Sequence, residues 1–270
     1  MLWNAKNGQV PVGDTQMRYV RFGRGEKVFV ILPGLSDGLT TVRGKALPLA
    51  APYRMFLDRY TVYVFSRKDR LPEQYSIRDM AADQAGALRA LGIERAAVMG
   101  VSQGGMIAQY LAADFPALVE KLVLAVTAPG ANETVQANVR RWIGYAQRGE
   151  HRQLMTDTAE HAYSPARLKT LRPLYPVFGM IGKPADYGRF LTNANAILAF
   201  DASDALARIQ CPTLILGGGR DKTVGIAASR ELHERIAGSE LYVYEDLGHA
   251  AFEEAKDFNP RVLRFLDAEA

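Results

Sequence analysis

Six nearly continuous apolar runs, separated for the most part by helical patterns, constrain this chain more than any other feature. They are Lys27 to Leu32, Thr61 to Phe65, Ala96 to Met99, Lys121 to Val126, Pro212 to Leu216 and Glu240 to Tyr244. A strand that is apolar at nearly every position has no face to offer water, so it belongs in a sheet covered on both sides, as parallel sheets are. Between the runs, Ser76-Ile77-Arg78-Asp79 has the form of a capping box with Asp in place of the usual Glu. Ile77, Met80, Ala81, Leu88 and Leu91 then keep helical spacing up to Gly92. A second helix is expected from Gly104 to Phe115, stopped by Pro116, and a third from Ile226 to Ala237, ended by Gly238. The last is expected to start at Asn259-Pro260, an N-cap followed by proline at the first helical position. Ahead of the first run, Gln9 to Tyr19 reads as an antiparallel hairpin around Pro11, Gly13 and Asp14. The expected fold class is therefore α/β: a mostly parallel twisted sheet with helices on both faces.

One stretch breaks the alternation. From Ala131 to Ala207 there is no buried-strand run, only helix-like segments divided by Gly149, Pro165, Pro173 and Gly182. Roughly 75 residues without a strand exceed a simple crossover, whose loops are a few residues each. An inserted helical cap over 131–207 is expected, with a core domain made of 1–130 and 208–270. The segment is rich in aromatic residues, among them Trp142, Tyr163, Phe178, Tyr187 and Phe190. That content suits an apolar pocket, although aromatic residues in helices more often simply form core.

Composition narrows the partners. The chain is 48% hydrophobic and 23% charged, with a formal charge of +4. Its Lys and Arg residues are scattered among acidic neighbours, so nucleic acid is not an expected partner. No apolar span has membrane length. Met1 to Val10 holds Asn4, Lys6, Asn7 and Gly8, too polar for a signal peptide, so a cytoplasmic location is expected. Cys211 is the single cysteine, which leaves neither an intrachain disulfide nor a cysteine metal site. No cofactor or metal is expected; the expected partner is a small-molecule substrate.

The chemistry concentrates at Gly100-Val101-Ser102-Gln103-Gly104-Gly105, directly after an apolar strand and before a helix. A sharp strand-to-helix turn requires glycines, and it lifts the Ser102 hydroxyl clear of the sheet. It also turns the free N–H groups of the helix start toward any oxyanion formed there. The alternative is a tight Gly-rich or phosphate-binding turn. A serine hydroxyl needs a base. Of four histidines, His151 and His161 lie in the expected cap, and His233 sits among Glu231, Glu234 and Arg235 on a helix. His249 follows the last strand on the loop at its C-terminal end, where open α/β sheets place their crevices. The base needs an acid to orient it. Asp221 follows the Pro212 to Leu216 run through Gly217-Gly218-Gly219-Arg220, and Asp246, three residues before His249, is its rival. The chain order Ser…Asp…His favours Asp221.

On these residues the chain resembles the α/β-hydrolase superfamily, in its capped group of small esterase- and lactonase-like enzymes. The resemblance runs from the hairpin at Gln9 to the terminal helix and is weakest across the cap. It implies a triad of Ser102 at the elbow, Asp221 in Gly-Gly-Gly-Arg-Asp and His249 in Leu-Gly-His. It further implies an oxyanion hole made by the backbone N–H groups of Gln103 and Leu35. Where members commonly read His-Gly-x, this chain reads Pro33-Gly34-Leu35, and proline cannot make the hydrogen bonds that shape that loop. Where members often carry Asp-x-Arg-Gly-x-Gly, it reads Ser66-Arg67-Lys68-Asp69-Arg70. A serine at the elbow argues against the dehalogenase and epoxide hydrolase branches, which use aspartate there.

The expected activity is hydrolysis of a small carboxylic ester or lactone through an acyl-enzyme. Two alternatives stay open: carbon–carbon bond hydrolysis with the same triad, and a non-catalytic small-ligand receptor. Arg43, Lys45, Arg67, Lys68 and Arg70 lie in loops on the catalytic side, where they either bind an anionic substrate group or form a solvated rim paired with Asp37, Asp69 and Glu73.

Overall fold

The computed structural model describes residues 2–268. Its single sheet has eight strands in the order β1-β2-β4-β3-β5-β6-β7-β8. These are β1 (Lys6–Val12), β2 (Thr15–Gly23), β3 (Lys27–Leu32), β4 (Tyr60–Lys68), β5 (Ala96–Val101), β6 (Val119–Ala125), β7 (Thr213–Gly218) and β8 (Glu240–Tyr244). The β1–β2 hairpin is antiparallel, with Val12 opposite Thr15. β2 also runs antiparallel to β4, and every pairing from β4 to β8 is parallel. All six apolar runs form strands, with Val126 just past the end of β6. Five are covered on both faces, as their patterning predicts, whereas β8 is an edge strand that leaves Glu240 and Tyr242 exposed. Along β3, Val30 and Leu32 enter one core cluster while Phe29 and Ile31 enter the other. Alternate residues of one strand thus feed cores on opposite faces, which is why the run is continuously apolar.

Helices cover both faces. α2 (Ile77–Ala90), α3 (Gln103–Asp114) and α9 (Ile226–Arg235) bury Met80, Ile107 and Leu232 in the first cluster. α1 (Ala46–Ala50), α10 (Ala251–Glu254) and α11 (Phe258–Asp267) bury Ala50, Ala251 and Val262 in the second. The capping box of α2 is formed in full: Ser76 Oγ accepts from Asp79 N at 3.1 Å, and Ser76 N donates to Asp79 Oδ2 at 2.9 Å. α11 departs from expectation. Its N-cap is Asp257, not Asn259. Asn259 instead lies inside the first turn and donates to Pro52 O at 2.9 Å, fastening the helix to the core. Pro260 still fits, because the first N–H groups of a helix have no partner within it.

Between β6 and β7 the chain forms α4 (Glu133–Gln147), α5 (His151–Ala162), α6 (Pro165–Leu171), α7 (Tyr175–Phe178) and α8 (Gly188–Leu198). The two stems of this helical insertion are clasped by Ala131 N to Phe200 O at 2.9 Å and Ala202 N to Pro129 O at 2.8 Å. Its apolar side chains, Val139, Trp142, Leu154, Phe190 and Ile197, belong to the same cluster as α2 and α3. The insertion therefore packs against the sheet and its helices through a continuous core. Among the described residues no helix is long and apolar enough to cross a membrane.

The strand order sets where a crevice can open. From β3 the chain moves to β4 on one side and then to β5 on the other. At such a reversal the loops leaving the two neighbouring strands diverge and leave a gap between them. Those loops carry Pro33-Gly34-Leu35 and Ser102.

Candidate active site

Ser102 occupies a strained turn. Its φ and ψ are 53° and −120°, a conformation that a side chain disfavours. The turn is held by Ser102 N to Ala125 O at 2.9 Å, while Ser102 O accepts from Gly105 N at 2.8 Å and Thr127 Oγ1 at 2.8 Å. Glycines make it possible. A Cβ on Gly100 would lie 2.3 Å from Gly104 O, and one on Gly104 would lie 1.9 Å from Leu32 O. Both obstructions are backbone and cannot rotate aside. Gly104→Ala is therefore expected to cost about 4 kcal/mol or more, seen as a Tm loss of about 10 °C or as failure to fold. Gly86, in the exposed middle of α2, has open space around its Cβ direction. There the same change should stabilise by about 0.5–1 kcal/mol, so paired melting curves test the argument.

The loops after β7 and β8 bring two more groups to Ser102. His249 Nε2 lies 3.0 Å from Ser102 Oγ, and His249 Nδ1 lies 2.8 Å from Asp221 Oδ2. An ionised carboxylate only accepts, so Nδ1 donates to Asp221, and with the ring neutral this tautomer leaves the Nε2 lone pair facing the serine hydroxyl. A neutral ring held in this way can take the proton of Ser102. Asp221 Oδ1 accepts from Thr223 N at 2.7 Å and Val224 N at 3.0 Å. Burial opposes ionisation of this carboxyl, but the His249 ring and the two backbone N–H groups outweigh it and hold it below the usual carboxylate range. Asp246 points elsewhere. It pairs with Arg220 at 2.6 Å, and its side chain is 84% exposed.

The remaining histidines have other partners. His151 contacts Ile181 O at 2.9 Å, His161 lies 2.9 Å from Arg141, and the exposed His233 contacts Ser239 Oγ at 3.0 Å. Gln103 is the first residue of α3, and Leu35 is the first of the 3₁₀ turn Leu35–Gly38. Backbone N–H groups at such positions have no acceptor within their own helix. The two segments approach closely, since a Cβ on Gly34 would stand 3.3 Å from Ser102 Cβ.

Of the five basic residues expected as ligand or solvated rim, Arg67 fits neither description. It is 1% exposed and lies in the wall behind the two loops. Lys68 pairs with Asp83 at 3.0 Å, Arg70 with Asp14 at 3.0 Å, and Lys45 donates to Thr40 Oγ1 at 2.6 Å. Arg43 is exposed. Asp69 pairs with Arg18 at 2.9 Å, and Asp37 is buried.

The helical insertion touches every loop of the site. Asn132 Nδ2 of the α4 N-cap donates to Val224 O at 2.9 Å, and Asn138 Nδ2 to Lys222 O at 2.7 Å, so α4 grips the Asp221 loop. Ala250 N donates to Ala162 O at 2.9 Å, and Ser164 Oγ to Glu254 Oε2 at 2.5 Å, which fixes the loop of His249. Gln103 Nε2 donates to Asn193 O of α8 at 2.8 Å. These contacts carry no sequence signature, since single asparagines on an amphipathic helix look like any solvated face.

A sequence model of the alpha/beta hydrolase fold matches residues 27–256. The chain belongs to the α/β-hydrolase family. Among curated relatives, a putative carbamate hydrolase RutD from Escherichia coli is 32% identical over 205 residues, covering 73% of each chain. Among solved structures, an α/β-hydrolase enzyme from a Medee basin deep-sea metagenome library superposes with a TM-score of 0.85 at 21% identity, covering 97% of this chain and 98% of its own. Est816, described as an N-acyl homoserine lactone degrading enzyme, gives a TM-score of 0.73 at 26% identity, covering 96% and 100%. Membership of this family, with hydrolases among the relatives, makes the protein a hydrolytic enzyme of the α/β-hydrolase fold.

Proposed function

We propose that the protein hydrolyses a small carboxylic ester or lactone through an acyl-enzyme formed on Ser102. The observation that carries the reading is the unbroken line from Ser102 Oγ to His249 Nε2 at 3.0 Å and from His249 Nδ1 to Asp221 Oδ2 at 2.8 Å. In this reading His249 takes the proton as Ser102 Oγ bonds to the substrate carbonyl carbon. The carbonyl oxygen becomes an oxyanion, held by the N–H groups of Gln103 and Leu35. Collapse breaks the carbon–oxygen bond, and the departing alkoxide receives the proton from His249. A water then attacks the acyl-enzyme, gives its proton to His249, and Ser102 leaves with that proton restored. For a lactone the departing alkoxide stays tethered to the acyl group. Asp221 orients His249 and stabilises its charged form. The same reading treats 131–207 as a cap domain over a core of 1–130 and 208–270.

The substrate class is supported by the chemistry the relatives' names describe. A carbamate and an acyl homoserine lactone each offer a carbonyl carbon bearing a heteroatom leaving group. Labelling with a fluorophosphonate probe, run beside a panel of esters, lactones, carbamates and vinylogous diketones, tests the proposal. Labelling at Ser102 with highest kcat/KM on an ester or lactone is expected. A preference for the diketones would make the reaction carbon–carbon cleavage, and neither labelling nor turnover would leave a ligand receptor.

A further inference from the structure

The two proposed oxyanion donors lie on separate pieces of chain, Leu35 after β3 and Gln103 at the head of α3. A hole built in two parts works only if the spacing between them is held to about half an ångström. Proline has no N–H, so Pro33 cannot anchor its loop by donating. Its carbonyl does the anchoring: Arg67 NH1 donates to Pro33 O at 2.7 Å. The other arm of the same guanidinium, NH2, donates to Gln103 Oε1 at 2.9 Å. One rigid planar fork therefore spans both halves. Gln103 passes the constraint on through Nε2 to Asn193 O at 2.8 Å.

Arg67 is itself locked. Its own N–H donates to Asp37 Oδ2 at 3.0 Å, and its carbonyl accepts from Arg189 NH2 at 2.9 Å. Arg189 of α8 also donates to Asp37 Oδ2 at 2.9 Å and to Lys68 O at 2.7 Å. This cluster holds two guanidinium groups against one carboxylate, so a positive charge is left over. A buried positive surplus behind the loops favours negative charge forming in front of them.

We propose that Arg67 is the positioning residue of the oxyanion hole, fixing Pro33-Gly34-Leu35 and Gln103 at the spacing the transition state requires. The inference rests on the acyl-enzyme reading of Ser102. A residue with this role acts on the tetrahedral state and leaves ground-state binding alone. A merely structural arginine would change Tm and nothing else.

Arg67→Lys and Arg67→Gln, made in the full chain, separate the two. Each variant is expected to lose at least about 10-fold in kcat on p-nitrophenyl acetate with KM within about threefold. Inhibition by phenylboronic acid, which forms a tetrahedral adduct on a serine, should weaken by a similar factor. Unchanged kcat in folded variants, or kcat and boronate affinity that do not fall together, overturns the proposal. Gln103→Ala serves if neither arginine variant folds, because it removes the Oε1 anchor and keeps the backbone N–H. It should lower kcat about fivefold or more at constant KM, and unchanged kcat there overturns the proposal too. Wild-type protein without ester turnover, or a Ser102→Ala variant that retains it, sinks the acyl-enzyme reading instead, so the two failures are distinct.

Discussion

Ser102→Ala is expected to lower kcat for ester hydrolysis by about 10⁴-fold or more while leaving the fold intact. The Oγ atom is hydrogen-bonded to His249 Nε2, whereas the elbow is held by the Ser102 backbone. Removing Oγ therefore deletes the proposed nucleophile without releasing the turn, and stability should stay within about 1 kcal/mol. The backbone of residue 102 gives a second handle. At φ 53° and ψ −120° a Cβ is strained, so Ser102→Gly should melt higher than Ser102→Ala although both are expected to be inactive. Steady-state kinetics with p-nitrophenyl acetate and thermal melts on the two variants check both claims. A Ser102→Ala enzyme within tenfold of wild type would remove Ser102 from the mechanism, and equal melting temperatures would remove the strain.

The parts of this protein that are legible in its sequence are those fixed by local physics. Five of the six apolar runs are nearly unbroken because a sheet covered on both faces tolerates no polar alternation, as Phe29 to Leu32 show. The sixth, Glu240–Tyr244, lies at the sheet edge and alternates in exposure. Ser76 and Asp79 announce the start of α2 because a capping box is a short-range device. The elbow is legible because Gly100 and Gly104 have no room for a side chain. What escapes depends on distant chain segments meeting. Arg67 reads as a solvated loop residue until Pro33 O and Gln103 Oε1 arrive from 34 and 36 residues away. Asn138, which grips the Asp221 loop, lies 84 residues from its acceptor Lys222 O. Asn259 reads as the start of α11 because its side chain fits an N-cap equally well in isolation, and only its contact with Pro52 O puts it inside the helix. Asp221 and Asp246 resist separation by local pattern for the same reason. Both leave neighbouring parallel strands, and only the fold decides which one turns inward.

Asp221→Asn and Asp246→Asn should separate these two carboxylates by orders of magnitude. Asp221 Oδ2 accepts the Nδ1 proton of His249 at 2.8 Å, and its other oxygen is occupied by Thr223 N and Val224 N. Because those two N–H groups claim the amide oxygen of an asparagine, its NH₂ group faces Nδ1. The ring then favours the tautomer with its proton on Nε2, which cannot accept the Ser102 proton, and kcat should fall about 10⁴-fold. Acid stability carries an independent signature of the same carboxylate. The folded-state value of Asp221 is depressed, so the unfolded chain binds the proton more readily. The resulting stabilisation is present above the unfolded value and is lost as pH falls through the folded one. The Tm advantage of wild type over Asp221→Asn should accordingly shrink progressively as pH falls below about 5. Asp246 is largely exposed in a pair with Arg220, which is itself 57% exposed, and such pairs contribute about 1 kcal/mol at most. Asp246→Asn should keep kcat within about twofold. A comparable collapse in Asp246→Asn, with Asp221→Asn active, would reverse the assignment and require the β8 loop to fold back onto His249 during turnover.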